Sequence, residues 1–165
     1  MAVDAESFKV GMRRLGGAVT IIATECDGSR FGLTATAVCS LSAEPPRLLC
    51  CVNRRGMSFR AIADSGRFSV NLLNDGQQAI AMRFAGMAKG DHADRFAGLS
   101  WRELHTGAPA LLDAIASFDC AVSQIVDAGS HGIVIGDVMA VHLGETTGPL
   151  FYLDGQFSAA ARLFA

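Results

Sequence analysis

The strongest constraint on the fold is an alternating stretch in the second half of the chain. At residues 116–123, Ala, Phe, Cys and Val alternate with Ser, Asp, Ala and Ser. Because successive side chains of a strand point to opposite faces of a sheet, this pattern predicts a strand with one buried face and one wetter face. A second strand is expected at 133–141, after a turn at Gly129. The chain is therefore expected to be mainly β.

The rest of the chain predicts more strands and a few short helices. Apolar residues at helical spacing follow Asp4, a residue type that favours helix N-termini. Asp27 and Gly28 form a turn signal, and Pro45 and Pro46 break the chain before an apolar run. The predicted elements are a helix at 4–15, strands at 18–26, 30–41 and 48–52, a helix at 58–64, a strand at 67–72, a helix capped by Asp75 and running to residue 85, a loop at 86–96, and a last strand at 150–153.

These elements predict a single domain, residues 1–165, since no linker or repeat divides the sequence. About six or seven strands with two or three helices favour a closed or partly open antiparallel barrel. A doubly wound α/β fold is disfavoured because helices do not alternate regularly with strands and no G-x-G-x-x-G sequence opens a helix.

Charge and hydropathy exclude several classes of partner. The net charge of −2 leaves no surplus of Lys and Arg for nucleic acid. No apolar run approaches the roughly 20 residues needed to cross a bilayer. The N-terminal residues also lack the pattern of a secretion signal. We therefore expect no nucleic-acid partner and no membrane association.

The cysteines and the apolar composition indicate a cytoplasmic homodimer. The 5 cysteines are odd in number, include an adjacent pair and show no C-x-x-C, which fits neither a disulfide scaffold nor a zinc site. Reduced, mostly buried thiols are expected instead.

A hydrophobic content of 50% predicts apolar surface that a monomer would expose. The alternative is a core rich in Ala and Gly that buries the apolar residues and leaves no apolar surface exposed.

Residues 34–40 form the first candidate binding segment. The sequence Thr-Ala-Thr-Ala-Val-Cys-Ser combines small side chains, which let a flat ring approach the main chain, with hydroxyl groups. Such groups, together with exposed backbone N–H groups, suit the pyrimidine edge of a flavin. An ordinary strand with threonines on its exposed face is the alternative that the residues alone favour.

Residues 53–58 form the second candidate segment, between a predicted strand and a predicted helix. A helix N-terminus presents unpaired N–H groups, and Arg54 and Arg55 add positive charge, so this segment is a candidate phosphate site. It is not a Walker A loop. A surface turn in which Ser58 only caps the helix fits the residues equally well.

Residues 129–132, Gly-Ser-His-Gly, form the third candidate segment. A His held at this turn could donate to a carboxamide or to a flavin oxygen, although a turn His is more often simply exposed. His92, His105 and His142 are scattered without ligand spacing, so no metal is expected.

Taken in order, the three segments resemble those of the short-chain flavin reductases. These are the reductase components of two-component flavin-dependent monooxygenases, such as that of 4-hydroxyphenylacetate 3-monooxygenase. The resemblance covers about residues 8–157. Its anchors are GLTATAVCSLS at 32–42, PP at 45–46, NR at 53–54, FSVNLL at 68–73, DRF at 94–96, GSH at 129–131, GDV at 136–138 and LFY at 150–152.

The resemblance implies an antiparallel FMN-binding split β-barrel with a few flanking short helices, usually a homodimer. It implies hydride transfer from NADH or NADPH to FMN or FAD, and delivery of reduced flavin to a partner monooxygenase. His131 would seat the nicotinamide. The implied cofactor-binding residues are Thr34, Thr36, Ala37, Val38 and Ser40 for the ring and ribityl chain, Asn53, Arg54, Arg55 and Ser58 for the phosphate end, and Phe84 beside the cofactor.

One departure and three alternatives remain open. Arg55 and Gly56 stand where the family more often has small polar residues, so the choice between FMN and FAD is not settled. A related flavoprotein could keep FMN bound and reduce corrin cobalt, iron or a redox partner. The chain could also bind flavin without catalysis, or be a small β-barrel interaction module.

Overall fold

The computed structural model describes residues 3–87, 93–145 and 148–161. Within them the helices are α1 (Ala5–Arg13), α2 (Met57–Ser65) and α3 (Gln78–Phe84), with short 3₁₀ helices at Asp75–Gln77 and Ala93–Phe96. The strands are β1 (Gly17–Ala18), β2 (Thr20–Cys26), β3 (Ser29–Ala35), β4 (Val38–Ala43), β5 (Pro46–Asn53), β6 (Arg67–Leu72), β7 (Trp101–Glu103), β8 (Pro109–Leu111), β9 (Ala116–Ala128), β10 (His131–Leu143), β11 (Leu150–Leu153) and β12 (Gln156–Ala159).

The main sheet has seven strands in the order β3-β2-β6-β9-β10-β5-β4, and every neighbouring pair is antiparallel. Its two edge strands, β3 and β4, are consecutive in the chain and are separated only by Thr36 and Ala37. The sheet therefore curls until its edges approach each other without pairing, which is a split barrel. The predicted mainly β, antiparallel fold is confirmed.

Strand β2 shows where the core lies. Ile21 and Ile22 are both fully buried, and they belong to different apolar clusters. Because neighbouring side chains of a strand point to opposite faces, β2 is covered on both sides. The cluster of Ile22 joins residues of β2, β5, β6, β9 and β10 to Ile62 of α2, whereas the cluster of Ile21 packs α3 and β8 on the other face.

Most local predictions match the structure. Asp4 caps α1 by accepting hydrogen bonds from the backbone N–H groups of Glu6 and Ser7. Strands β6 and β11 have the predicted bounds. Two predictions are wrong in detail. The strand expected at 30–41 is interrupted after Ala35. The helix expected to be capped by Asp75 is instead preceded by a 3₁₀ turn that begins at Asp75 and is capped by Asn74.

The predicted loop at 86–96 falls partly outside the described residues. Residues 88–92, and with them His92, lie in the gap between the described ranges. The end of the predicted loop, Ala93–Phe96, is a short 3₁₀ helix. Phe96 is buried and joins the cluster of Ile21, so this part of the segment contributes to the core.

The predicted wetter face of β9 is wrong for the first part of the strand, although Ser123 is exposed as predicted. Ser117 and Asp119 are fully buried, because the segment that carries β7 and β8 covers this face. The Ser117 hydroxyl donates to the carbonyl of Leu111 at 2.9 Å. The Asp119 carboxylate accepts from the backbone N–H groups of His105 and Thr106, both at 2.7 Å, and from the Thr106 hydroxyl. These bonds replace the water that the sequence pattern predicts.

The expectation of mostly buried cysteines is also too broad. All five cysteines are free thiols, but only Cys50 and Cys120 are buried, and Cys39 is exposed. Burial raises the pKa of the Cys50 thiol to about 12. Burial likewise raises the pKa of the Cys120 thiol. These two thiols stay protonated at neutral pH and act as small apolar core residues.

We predict that a side chain at Gly136 destabilises the core. A Cβ there would lie 2.6 Å from Phe68 Cζ and 2.9 Å from Cys120 Cβ. Gly136→Ala is expected to lower the free energy of unfolding by about 1–3 kcal/mol. Gly11→Ala is the matched control, because a Cβ at Gly11 in α1 meets nothing within 4 Å. Urea denaturation should separate the two variants, and equal stability would contradict this account of the packing.

Candidate functional site

The three candidate segments come together at one end of the main sheet. Strand β5 lies between β4 and β10. The backbone N–H of Cys51 donates to the carbonyl of Ala37 at 3.0 Å, and that of Arg54 donates to the carbonyl of Ser130 at 3.1 Å. His131 stands opposite Asn53 in the register of β10 and β5. Segments that are up to 97 residues apart in sequence (34 to 131) therefore form one continuous surface.

The opening between β3 and β4 offers unpaired backbone donors. Thr36 and Ala37 are exposed, and their carbonyl groups accept from Val38 and Cys51. Among the described residues, their own N–H groups find no acceptor. The hydroxyl groups of Thr36 and Ser40 also make no hydrogen bond within the described part of the chain. The sequence expectation of small residues with free donors is met at this opening.

Thr34 and Phe84 lie beneath this surface. The Thr34 hydroxyl donates to the carbonyl of Ala81 in α3 at 2.6 Å, which fixes β3 to that helix. Phe84 is 2% exposed and packs edge-on against Phe96, with ring centroids 5.0 Å apart, and against Trp101. The family resemblance implies that Phe84 lies beside a cofactor; its ring is buried in the core, where it completes an aromatic cluster. Both residues support the binding surface from below.

A cavity of about 660 Å³ opens at the gap, and we call it the central cavity. Thr36, Val38 and Ser40 line it, as expected for the ring-binding segment. A second cavity of about 500 Å³ lies on the other side of Thr36 and includes Ala37. Mostly apolar cavities of this size, with a few polar groups, are typical of sites for small aromatic ligands.

Some residues that line these two cavities were not predicted from the sequence. Leu15, Gly16 and Gly17, at and just after the end of the helix predicted at 4–15, line both cavities. Arg47 also lines the central cavity and pairs with Asp137 at 2.6 Å across β5 and β10. The carboxylate is 90 residues away in sequence, so no local signal identifies this pair.

The bend between β5 and α2 presents the free N-terminus of a helix. The Asn53 side chain accepts from the backbone N–H of Arg55 at 2.9 Å, and Gly56 N–H donates to the Asn53 carbonyl at 3.1 Å. The N-cap of α2 is Gly56, which has no side chain to satisfy the first N–H groups. The alternative in which Ser58 caps the helix is therefore wrong. The first turn keeps the unpaired donors and positive potential that bind anions.

Arg54 and Arg55 have different surroundings. The Arg54 guanidinium forms an ion pair with Asp127 and also approaches the carbonyl of Gly129, at 3.4 Å. It therefore ties the bend to the turn between β9 and β10. Arg55 is exposed and has no ion pair within the described part of the chain. Of the two cations predicted for phosphate, Arg55 is the one whose charge is not already balanced.

His131 is exposed at the first position of β10. Its Nδ1 lies 2.9 Å from the hydroxyl oxygen of Ser130, which orients the ring and leaves Nε2 without a partner among the described residues. One ring nitrogen thus fixes the ring, and the other can donate or accept a further hydrogen bond.

The comparisons with known proteins point to one family. Residues 12–161 match the family model described as "Flavin reductase like domain". A relative named "FMN reductase (NADH) RutF 1", from Methylorubrum extorquens, is 40% identical over 160 residues, which is 97% of this chain and 79% of the relative. These matches confirm the resemblance inferred from the ordered segments.

Two solved structures share the fold. The flavin reductase PheA2 in its native state superposes with a TM-score of 0.88 at 30% identity, over 97% of this chain and 100% of that one. BorF, the flavin reductase component of a bacterial two-component tryptophan halogenase, gives a TM-score of 0.86 at 29% identity, over 94% and 98% of the two chains.

Proposed function

Because this chain belongs to the flavin reductase-like domain family, we propose that it is an NAD(P)H:flavin oxidoreductase that reduces FMN with NADH. The observation that carries the proposal is the convergence of its three candidate segments at one end of β5. Ring donors, a helix N-terminus for phosphate and an oriented His then lie side by side, as a two-substrate flavin site requires.

The opening at Thr36 and Ala37 would hold the flavin ring. Bound flavin supplies the redox chemistry by accepting a hydride at its ring from the nicotinamide. The protein contributes the free N–H groups of Thr36 and Ala37, with the hydroxyls of Thr36 and Ser40, as donors for the pyrimidine edge. Fixed donors aimed at an edge that gains negative charge stabilise the reduced form. Val38 adds apolar contact in the same cavity.

The bend at Asn53–Ser58 would hold the phosphate of FMN. The uncapped first turn of α2 supplies backbone donors, and Arg55 supplies a charge that no carboxylate in the described residues neutralises. Arg54 acts as a positioning residue, since its guanidinium is engaged by Asp127 and Gly129. His131, opposite Asn53, would donate to the nicotinamide carboxamide.

A homodimer would cover the large apolar side chains that the isolated chain exposes. On α1 and the residues after it, Phe8 is 57% exposed and Leu15 69% exposed. On the second half of β10, Val141 is 50% and Leu143 73% exposed. Patches of this kind on a soluble protein are typical of subunit interfaces. Leu15 and Val141 also line the central cavity, so the second subunit would complete the site.

The exposure of the candidate site supports an exchangeable flavin. Thr36, Ala37, Ser40 and Asn53 all lie at the surface, so FMN can enter and leave as a substrate. Reduced FMN would then diffuse to a partner monooxygenase.

No helix in the described residues has the length and apolarity to cross a membrane. The five free thiols support a reducing, cytoplasmic setting.

The first prediction concerns the activity itself. The purified protein, mixed with NADH and an excess of free FMN, is expected to oxidise NADH over many turnovers, with and without air, and to emerge colourless from gel filtration. Nicotinamide absorbance provides the measurement. No oxidation of NADH with either FMN or FAD would refute the proposal. A protein that remains yellow and needs another electron acceptor would identify the flavin as a bound cofactor.

The second prediction concerns His131. We expect His131→Ala to lower kcat/KM for NADH by about five- to twentyfold, through loss of one oriented donor, with FMN affinity changed less than about twofold. His105→Ala is the matched control, because the His105 side chain is exposed and makes no hydrogen bond among the described residues. Steady-state kinetics that do not distinguish the two variants would remove His131 from the site.

The third prediction concerns the ion pair between Arg54, in the bend after β5, and Asp127, beside the turn between β9 and β10. Arg54→Ala breaks this ion pair and removes a positive charge from the bend, so it should weaken FMN binding by about three- to tenfold. Flavin fluorescence titration measures the Kd. Arg30→Ala is the control, since it removes an ion pair with Glu25, at the partly buried end of another pair of strands. If Kd is the same for wild type and Arg54→Ala, the bend does not depend on this contact.

A further inference from the structure

A third cavity lies beyond the predicted phosphate end of the flavin site. It has a volume of about 580 Å³ and opens between the first turn of α2 and the turn joining β9 to β10. None of its lining residues lines the central cavity. We call it the arginine pocket. It is lined by Arg54, Arg55, Phe59, Arg60, Gly129 and Ser130.

The arginine pocket carries unbalanced positive charge. Asp127 neutralises Arg54. Arg55 and Arg60 are exposed and have no carboxylate within ion-pair distance in the described part of the chain, although Asp64 stands one helical turn after Arg60. In a chain of net charge −2, two unpaired guanidinium groups beside one cavity form a local site for an anion.

Phe59 gives the pocket a rigid aromatic wall. Its ring packs on the backbone of β10, where a Cβ at Gly132 would lie only 2.4 Å from Phe59 Cε2. The glycine next to His131 therefore lets the ring lie directly against the strand. An aromatic ring beside two arginines suits a ligand that combines a planar base with phosphate, because the base can pack on the ring and the phosphate accepts from guanidinium groups.

We propose that the arginine pocket binds the adenosine phosphate half of a dinucleotide whose reactive ring lies at the central cavity. This inference rests on the proposed function, since it adds a subsite to the same reaction. The pocket adjoins the bend at Asn53 through Arg54 and Arg55, and it adjoins His131 through Ser130. The same chemistry has two sources, the ADP portion of FAD and the adenosine portion of NADH or NADPH.

The test begins with ADP alone as the probe. Calorimetry on the protein should show ADP binding to wild type. Arg60→Gln should weaken that binding by about five- to tenfold, the effect of one charge-assisted contact at an exposed site. Arg30→Gln, which removes an equal charge outside the pocket, should leave it unchanged. Absence of ADP binding to wild type, or equal affinity in Arg60→Gln, would overturn the proposal.

Two further measurements identify the source of the adenosine phosphate. If FAD supplies it, Arg60→Gln raises the Kd of FAD and leaves that of FMN within about twofold. If the nicotinamide nucleotide supplies it, Arg60→Gln raises the KM for NADH or NADPH with FMN as acceptor. If neither quantity changes, the pocket has no part in the reaction and the proposal fails.

The two proposals fail separately. A wild-type protein that does not reduce flavin but binds ADP in an Arg60-dependent manner would refute the proposed function and keep the subsite. A wild-type protein that oxidises NADH with FMN but does not bind ADP would keep the function and refute the subsite.

Discussion

The unpaired gap between β3 and β4 is the constraint on which the candidate site depends. The chain crosses from one edge of the barrel to the other in two residues, Thr36 and Ala37. Their carbonyls still find partners, in Val38 and Cys51, but their N–H groups do not among the described residues. Buried unpaired N–H groups would be costly, so they are tolerated here because they face solvent or a ligand. The opening of the barrel thus creates binding donors without a special side chain.

Strand β5 converts this local opening into a composite surface. It contacts Ala37 at Cys51 and faces His131 at Asn53, two positions further on. Two residues along a strand span roughly 6.6 Å, so the groups at these positions can touch different parts of one small molecule. The register is critical, because a slip by one residue would turn Asn53 to the opposite face. The antiparallel ladder β4-β5-β10 is therefore part of the site.

Local sequence signals predicted the features that local interactions determine. The cap at Asp4, the bounds of β6 and the turn between β9 and β10 follow from residue types and spacing. Burial of Asp119 could not be predicted in this way. Its covering strands, β7 and β8, have 3 residues each, too few for a recognisable alternation. Its partners are the backbone N–H groups of His105 and Thr106 and the Thr106 hydroxyl, which lie in the loop between those two strands.

Local sequence signals do not reveal tertiary contacts. For this reason the sequence predicted which segments form the candidate site better than it predicted what each side chain in them contacts. An aromatic residue such as Phe84 can face a ligand or the core, and only tertiary packing decides which. Adjacent arginines look equivalent in sequence, yet Asp127 engages Arg54 and leaves Arg55 free. An exposed pair of this kind contributes at most about 1 kcal/mol to stability. Its main effect is geometric, since it fixes the turn that carries His131 to the bend and leaves the neighbouring charge for a ligand.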